Sequence, residues 1–253
     1  MKNYEPVMSF DVEIAETYDD TAVHAGGDPG EPAVGDVPAT VAFLEERARG
    51  GPALELAIGT GRIALPLSAR GITVDGIDFS PAMVAKLRSK QGGNRLSITM
   101  GNYADVDVPG IYRLVYLVAN SLSNLLTQDE QVRCFQNVAA HLTDDGLFVL
   151  EAGVPSWLYR LQNGQYVMAE AIEVDEVRLD VARHDPVTQR LEESHVRLSR
   201  DRVRLNPIVT RYTWPSELDL MARIAGLRLK ERWDGWNREP FTATGNCISV
   251  YGH

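Results

Sequence analysis

The chain has 253 residues, 44% hydrophobic and 24% charged, with a formal net charge of −10 at pH 7. That length carries one sizeable α/β core with room for a small addition, and the acidic balance argues against nucleic acid, whose phosphates are held by clustered Lys and Arg. No run of about eighteen apolar residues could span a membrane. The opening MKNYEPVMSFDVEIAE lacks the apolar centre of a signal peptide, and Cys134 and Cys247, without CxxC spacing, read as thiols in a reducing cytoplasm.

Residues 11–23 predict a short helix carrying Tyr18 and Asp19. HAGGDPGEPAVGD follows, a Gly/Pro loop long enough to be functional. VPATVAFLEERARGG predicts a helix that Pro38 helps to start and Gly50 stops. ALELA is the first strand, and a helix follows from Arg62 until Gly71 ends it. ITVDGI is the second strand, and Ser80 with Pro81 caps and opens the next helix. LSITM and RLVYLVA are strands three and four. TQDE at 127–130 is a capping box for a helix running to His141, and Asp145-Gly146 turns the chain into strand five, LFVLEA.

This alternation predicts a doubly wound, mostly parallel seven-stranded sheet with a Rossmann-like order, covered on both faces. Right-handed crossovers gather the ligand-binding loops at the carboxyl edge. After Glu151 the pattern changes, and residues 176–214 hold three alternating runs with turns at Asp185-Pro186 and near Arg200-Asp201, a small antiparallel insertion. PSELDLMARIAG returns to helix, and LRLKERW and NCISVY close the sheet. The expectation is a single domain: a cap segment over 1–36, a cofactor-binding core over 37–152, an antiparallel lid over 153–213, and the last helix and strands over 214–253.

The loop GTGRIA satisfies GxGxxA, the turn that lets a backbone approach a nucleotide. In a dinucleotide site the glycines meet a pyrophosphate, which the Glu55 carboxylate, four residues ahead of Gly59, would repel. A cationic adenosyl ligand would welcome it. S-adenosylmethionine carries adenosine, no phosphate, a sulfonium and an ammonium. Asp78, ending strand two, is then set to accept hydrogen bonds from two ribose hydroxyls.

On these residues the chain resembles the class I S-adenosylmethionine-dependent methyltransferases, over residues 40–152. ELAIGTG is similar to that family's first motif, with Ala57 where a glycine is commoner and Gly59 and Gly61 left to make the turn. GIDFSPAMV resembles the second, which implies Asp78 on the ribose and Phe79 and Met83 beside the adenine. MGNYADV resembles the third, with Asn102 in place of the usual acid and Tyr103 next to it at the cofactor. VANSLSNLL stands where cofactor and acceptor meet in the family, which implies a contact from Asn120. The resemblance implies methyl transfer from S-adenosyl-L-methionine, leaving S-adenosyl-L-homocysteine.

ANSLSN replaces the Asn/Asp-Pro-Pro-aromatic tetrapeptide common in enzymes acting on DNA or protein amides. His24, His141, His184, His195 and His253 are scattered, so no metal is expected. The layout resembles small-molecule methyltransferases of natural-product pathways, amino-sugar enzymes included, with a nitrogen or oxygen acceptor. Tyr18 is the candidate catalytic residue, and Trp157, Arg211 and Trp214 are candidates for the acceptor, Arg211 suiting an anionic group. Two other readings stay open: an NAD(P)-dependent oxidoreductase, and a module that binds the cofactor without turnover. The edge of the insertion offers a surface for a homodimer.

Overall fold

The computed structural model describes residues 1–22, 36–161 and 163–253, with the side chains of 20–22, 157 and 160 excepted. The chain forms α1 (Val12–Ala22), α2 (Val37–Ala48), β1 (Ala53–Leu56), α3 (Ala64–Ala69), β2 (Val74–Asp78) and α4 (Pro81–Ser89). Next come β3 (Ser97–Met100), β4 (Tyr112–Leu117), α5 (Gln128–His141) and β5 (Leu142–Gly153). The antiparallel strands β6 (Gln165–Ile172), β7 (Glu176–Asp185), β8 (Arg190–Ser199) and β9 (Val203–Arg211) precede α6 (Pro215–Ile224), β10 (Arg228–Trp233) and β11 (Asn246–Gly252).

Seven strands form one sheet in the order β3-β2-β1-β4-β5-β11-β10. The first five run parallel, and β11 lies antiparallel between β5 and β10. The order reverses between β1 and β4, which opens a crevice at their carboxyl ends, where ligands bind in such sheets. Strand alternation sends Leu54 and Leu56 to the side of Phe135, Phe148 and Tyr251. It sends Ala53 to the side of Phe43, Leu44 and Leu67 on α2 and α3. The caps fall where the sequence puts them. Ser80 Oγ accepts the Met83 N–H at 3.2 Å, and Thr127 and Glu130 close their capping box.

Three elements depart from expectation. The helix after the glycine loop is shorter, since Gly61 and Gly71 both take positive φ and leave Arg62 in the turn. β5 begins at Leu142, and Asp145-Gly146 lies within a bulge, because Tyr112 pairs with Leu142 while Leu114 pairs with Leu147. The second sheet has four strands, β6-β7-β8-β9, not three. The extra strand, QYVMAEAI, is broken by a register shift between Ala169 and Ala171, and its alanines blur the alternation. Pro207 is accommodated because β9 is an edge strand.

The N-terminal segment ties the two sheets together. Ser9 Oγ donates to Pro207 C=O at 2.8 Å, and Arg204 pairs with Glu13 at 2.5 Å. On the other side Ser80 Oγ donates to Phe10 C=O at 2.7 Å, and the Phe10 ring meets Phe79 edge-on. Among the described residues no helix is long and apolar enough to cross a membrane. Cys134 and Cys247 are free thiols, both buried.

Candidate active site

The glycine loop between β1 and α3 is wound left-handed at three places, Ala57 (φ +54°), Gly59 (φ +55°) and Gly61 (φ +74°). A Cβ on Gly61 would come within 2.9 Å of Leu87 Cγ, so this glycine lets the loop close against α4. A Cβ on Gly59 would meet the Met83 methyl at 3.4 Å, which puts buried Met83 beside the loop. Ala57 bears the strain of that conformation with a side chain, which costs about 1 kcal/mol.

Asp78 ends β2 facing this loop. Its Oδ2 accepts the Gly59 N–H at 2.7 Å and its Oδ1 the Ser80 N–H at 2.8 Å. A carboxylate has about four acceptor sites, so each oxygen keeps capacity for a hydroxyl. Burial pushes its pKa up, while the N–H groups of Ser80, Gly59 and Phe79 pull the other way. Phe79 is half-buried beyond it.

Glu55 is 2% exposed, on the α2/α3 side of the sheet. Tyr116, its register partner on β4, donates a hydroxyl to Glu55 Oε2 at 3.0 Å. Burial raises the Glu55 pKa to about 8, against the hydrogen bond from Tyr116, the positive charge of Arg62 and the Ala64 N–H, and with the charge of Asp78. Arg62, the residue after Gly61, also favours the charged forms of Glu151 and Asp19. One guanidinium therefore stands among several acids.

α1 brings Tyr18 to the same place. Burial raises its pKa, and Arg62, Asp78, Asp19 and Glu55 are the charges that act on it. Next to it Asp19 holds α1 to the loop: Thr60 Oγ1 donates to Oδ1 at 2.6 Å and Lys90 Nζ lies 2.6 Å from Oδ2. Lys90 also donates to Thr60 C=O at 2.7 Å, closing the ring.

At the end of β4, Asn120 is exposed and left-handed (φ +54°), with Oδ1 accepting the Gly153 N–H at 3.0 Å. Asn102 Oδ1 accepts the Ala104 N–H at 2.9 Å and so shapes its own turn. Tyr103 is corrected. It is 1% exposed, in the core, with its hydroxyl donating to Ser121 C=O at 2.6 Å, and it supports the β4 turn from below.

Arg211 is corrected as well. It is 3% exposed, and its terminal nitrogens reach Gln131 at 2.5 Å, Gln189 at 2.8 Å and Glu217 at 2.7 Å. Those partners lie on α5, the β7–β8 turn and α6, so Arg211 fastens the second sheet to the core and has no place for an acceptor anion. Trp214 caps α6 and sits with Tyr212 and exposed Tyr159, at ring distances of 6.5 and 6.3 Å. Trp157 belongs to the turn after β5, and its side chain lies outside the described residues.

His195 is an exception to the scatter of histidines. Its Nδ1 is 2.8 Å from Glu170 and 3.8 Å from Asp180, which faces it across β7 and β8. Burial would lower its pKa, but Asp180, Glu170 and Glu193 outweigh that and raise it. Sequence spacing hides such cross-strand neighbours.

Two residues of the site were missed. Arg62 follows the glycine turn directly, and that position alone could have marked it. Glu151 lies two residues before the end of β5, after four apolar residues, the same anomaly that drew attention to Glu55. It is 4% exposed and accepts the Ala119 N–H at 2.6 Å, the Trp236 indole at 3.3 Å and the Asn246 amide at 3.2 Å.

A family described as a methyltransferase domain matches residues 53–146. The cypemycin N-terminal methyltransferase of a Streptomyces species is 24% identical over 78% of this chain and 80% of that protein. The CcbJ methyltransferase from Streptomyces caelestis superposes with a TM-score of 0.87 at 36% identity, over 98% of this chain and 99% of that one. CalS10, an amino pentose methyltransferase from Micromonospora echinaspora solved with its S-adenosylmethionine bound, gives a TM-score of 0.65 at 20% identity over 92% and 96%.

Proposed function

The chain belongs to the class I S-adenosylmethionine-dependent methyltransferases, and on that premise we propose that it methylates a nitrogen or oxygen of a small molecule, an amine foremost. One observation carries this reading. Three buried carboxylates, Glu55, Asp78 and Glu151, surround the glycine loop and the β4 and β5 ends, with Arg62 as the cation acting on Glu55 and Glu151. A sulfonium and an ammonium favour the ionised form of these acids, whereas the diphosphate of a nicotinamide cofactor gains nothing from them and is repelled by any that ionise.

The residues fit the donor. Asp78 retains acceptor capacity for the ribose hydroxyls, and Phe79 and Met83 offer apolar walls for the adenine. Asn102 and Asn120 flank these groups, and Arg62 suits the carboxylate of the amino-acid end. The bound donor supplies an electrophilic methyl group on a good leaving group. The chain's own residues then orient the partners and exclude water. α1, latched by Asp19, Thr60 and Lys90, covers the loop and carries Tyr18 to the reacting end. A neutral amine brings its own lone pair, so alignment does most of the work. Two similar proteins are named for an N-terminus and an amino pentose, which supports an amine acceptor.

Isothermal titration with S-adenosylmethionine and S-adenosylhomocysteine should give saturable binding. A panel of amines and alcohols incubated with labelled donor should yield methylated product, amines first. Binding of neither ligand overturns the proposal; product only from hydroxyl acceptors overturns the preference for amines.

A further inference from the structure

Where β4 ends, two consecutive residues that are not glycine, Ala119 (φ +55°) and Asn120 (φ +54°), adopt left-handed backbone. Asparagine tolerates that region but alanine does not, so the surroundings must impose it on Ala119. Glu151 Oε2 takes the Ala119 N–H at 2.6 Å, Asn120 Oδ1 takes the Gly153 N–H, and Ser123 Oγ donates to Asn120 C=O at 2.7 Å.

Glu151 is itself fixed from the far side. Oε1 receives the Trp236 indole and the Asn246 amide, and the Trp236 ring packs edge-on against Phe43 at 5.3 Å. Each oxygen is hydrogen-bonded to the protein on a different side, which makes the carboxylate a clamp. A buried acid in an apolar strand and an alanine in left-handed backbone each oppose folding. Together they break local rules at the carboxyl edge of the sheet, where function is the usual compensation. The clamp also gives a role to the stretch GWNREPF, which no cofactor motif uses.

We infer that Glu151 is a positioning residue: held by Trp236 and Asn246, its carboxylate fixes the left-handed Ala119–Asn120 turn and so aims Asn120 at the donor. The inference rests on the proposed reading of this edge as the donor site.

The test is titration of S-adenosylmethionine into Glu151→Gln, Ala119→Gly and their combination. Glutamine keeps the shape but accepts at one end only, so an NH2 opposes either Ala119 or the Trp236–Asn246 side. Affinity should fall about tenfold. Glycine takes φ near +55° without penalty. Ala119→Gly should therefore recover at least about threefold in the Glu151→Gln background and change little alone. A charge needed only for packing would not be rescued this way. Trp236→Phe keeps the stack on Phe43 and deletes the indole donor. It should weaken binding about threefold and speed amide exchange at 119–121, and it keeps the inference testable if Glu151→Gln does not fold. Native binding with unaltered affinity in Glu151→Gln, no recovery in the double variant, or unchanged exchange in Trp236→Phe each overturns the inference alone. Failure of the native protein to bind overturns the functional reading, and the inference with it.

Discussion

β1 is buried along its whole length, and so is β4 apart from Arg113, whereas β6 mixes exposed and half-buried residues and buries none. The seven-stranded sheet is covered on both faces, so any acid inside it costs free energy and calls for a cause. Three of the four buried carboxylates among the described residues, Glu55, Asp78 and Glu151, lie in this sheet at its candidate site. In the β6–β9 sheet charge is common on exposed positions, with Asp180 and Arg211 buried among it. Arg183 pairs with Glu192 at 2.5 Å and Arg197 with Glu176 at 3.3 Å, both across neighbouring strands. Such half-exposed pairs contribute little. A polar residue is thus informative by its strand in the first sheet, whereas in the second only the fold separates buried Asp180 and Arg211 from their exposed neighbours.

Arg211→Leu offers the sharpest way to break this contrast. It leaves Glu217 and Gln131 without their guanidinium and should destabilise the protein by about 3–5 kcal/mol in denaturant unfolding. Donor affinity, measured where the variant is folded, should change less than about threefold. A larger loss would return Arg211 to the site. Asp78→Asn is next: an amide cannot accept from both Gly59 and Ser80 and still serve two hydroxyls. Donor affinity should fall about 100-fold by titration, with the unfolding midpoint shifted modestly.

Glu55 sharpens the comparison through pH. With a folded pKa of about 8 against an ordinary value of 4.5, it is protonated in the fold where the unfolded chain has already lost its proton. Between those values the folded state binds more protons, so stability of the free protein falls as pH rises. A cationic donor favours the ionised form. Its affinity should therefore rise from pH 6 to 8, with proton release visible as a buffer-dependent heat of binding. Glu55→Gln should flatten both trends and weaken the sulfonium ligand about tenfold, its thioether product less. Heats independent of buffer would remove Glu55 from the electrostatics of binding. The smallest expected effect is Ala57→Gly, which relieves a left-handed alanine and should stabilise by about 1 kcal/mol or less in thermal unfolding.

The core strands and their caps were legible because burial on both faces writes long apolar runs and because Ser80-Pro81 and TQDE have one cheap solution. Arg62 and Glu151 were equally visible as residue types, but the motif pattern drew the eye to Glu55 and Asp78. The second sheet was less readable. β6 mixes alanine and methionine into its alternation, and its bulge at Glu170 breaks the period. Arg211 looked like an anion receptor because an exposed and a buried arginine have the same letter.

What the sequence determined by itself is local: the alternation of strand and helix, the glycine turn, and an acid at the close of strands one, two and five. Each follows from backbone sterics and side-chain chemistry within a few residues. What tertiary structure decided is which distant groups meet. Tyr18 comes to the glycine loop through Asp19, Thr60 and Lys90, Arg211 is consumed by α5 and α6, and Trp236 reaches back to Glu151. Those partnerships depend on crossover geometry and sheet register, and no spacing along the chain encodes them.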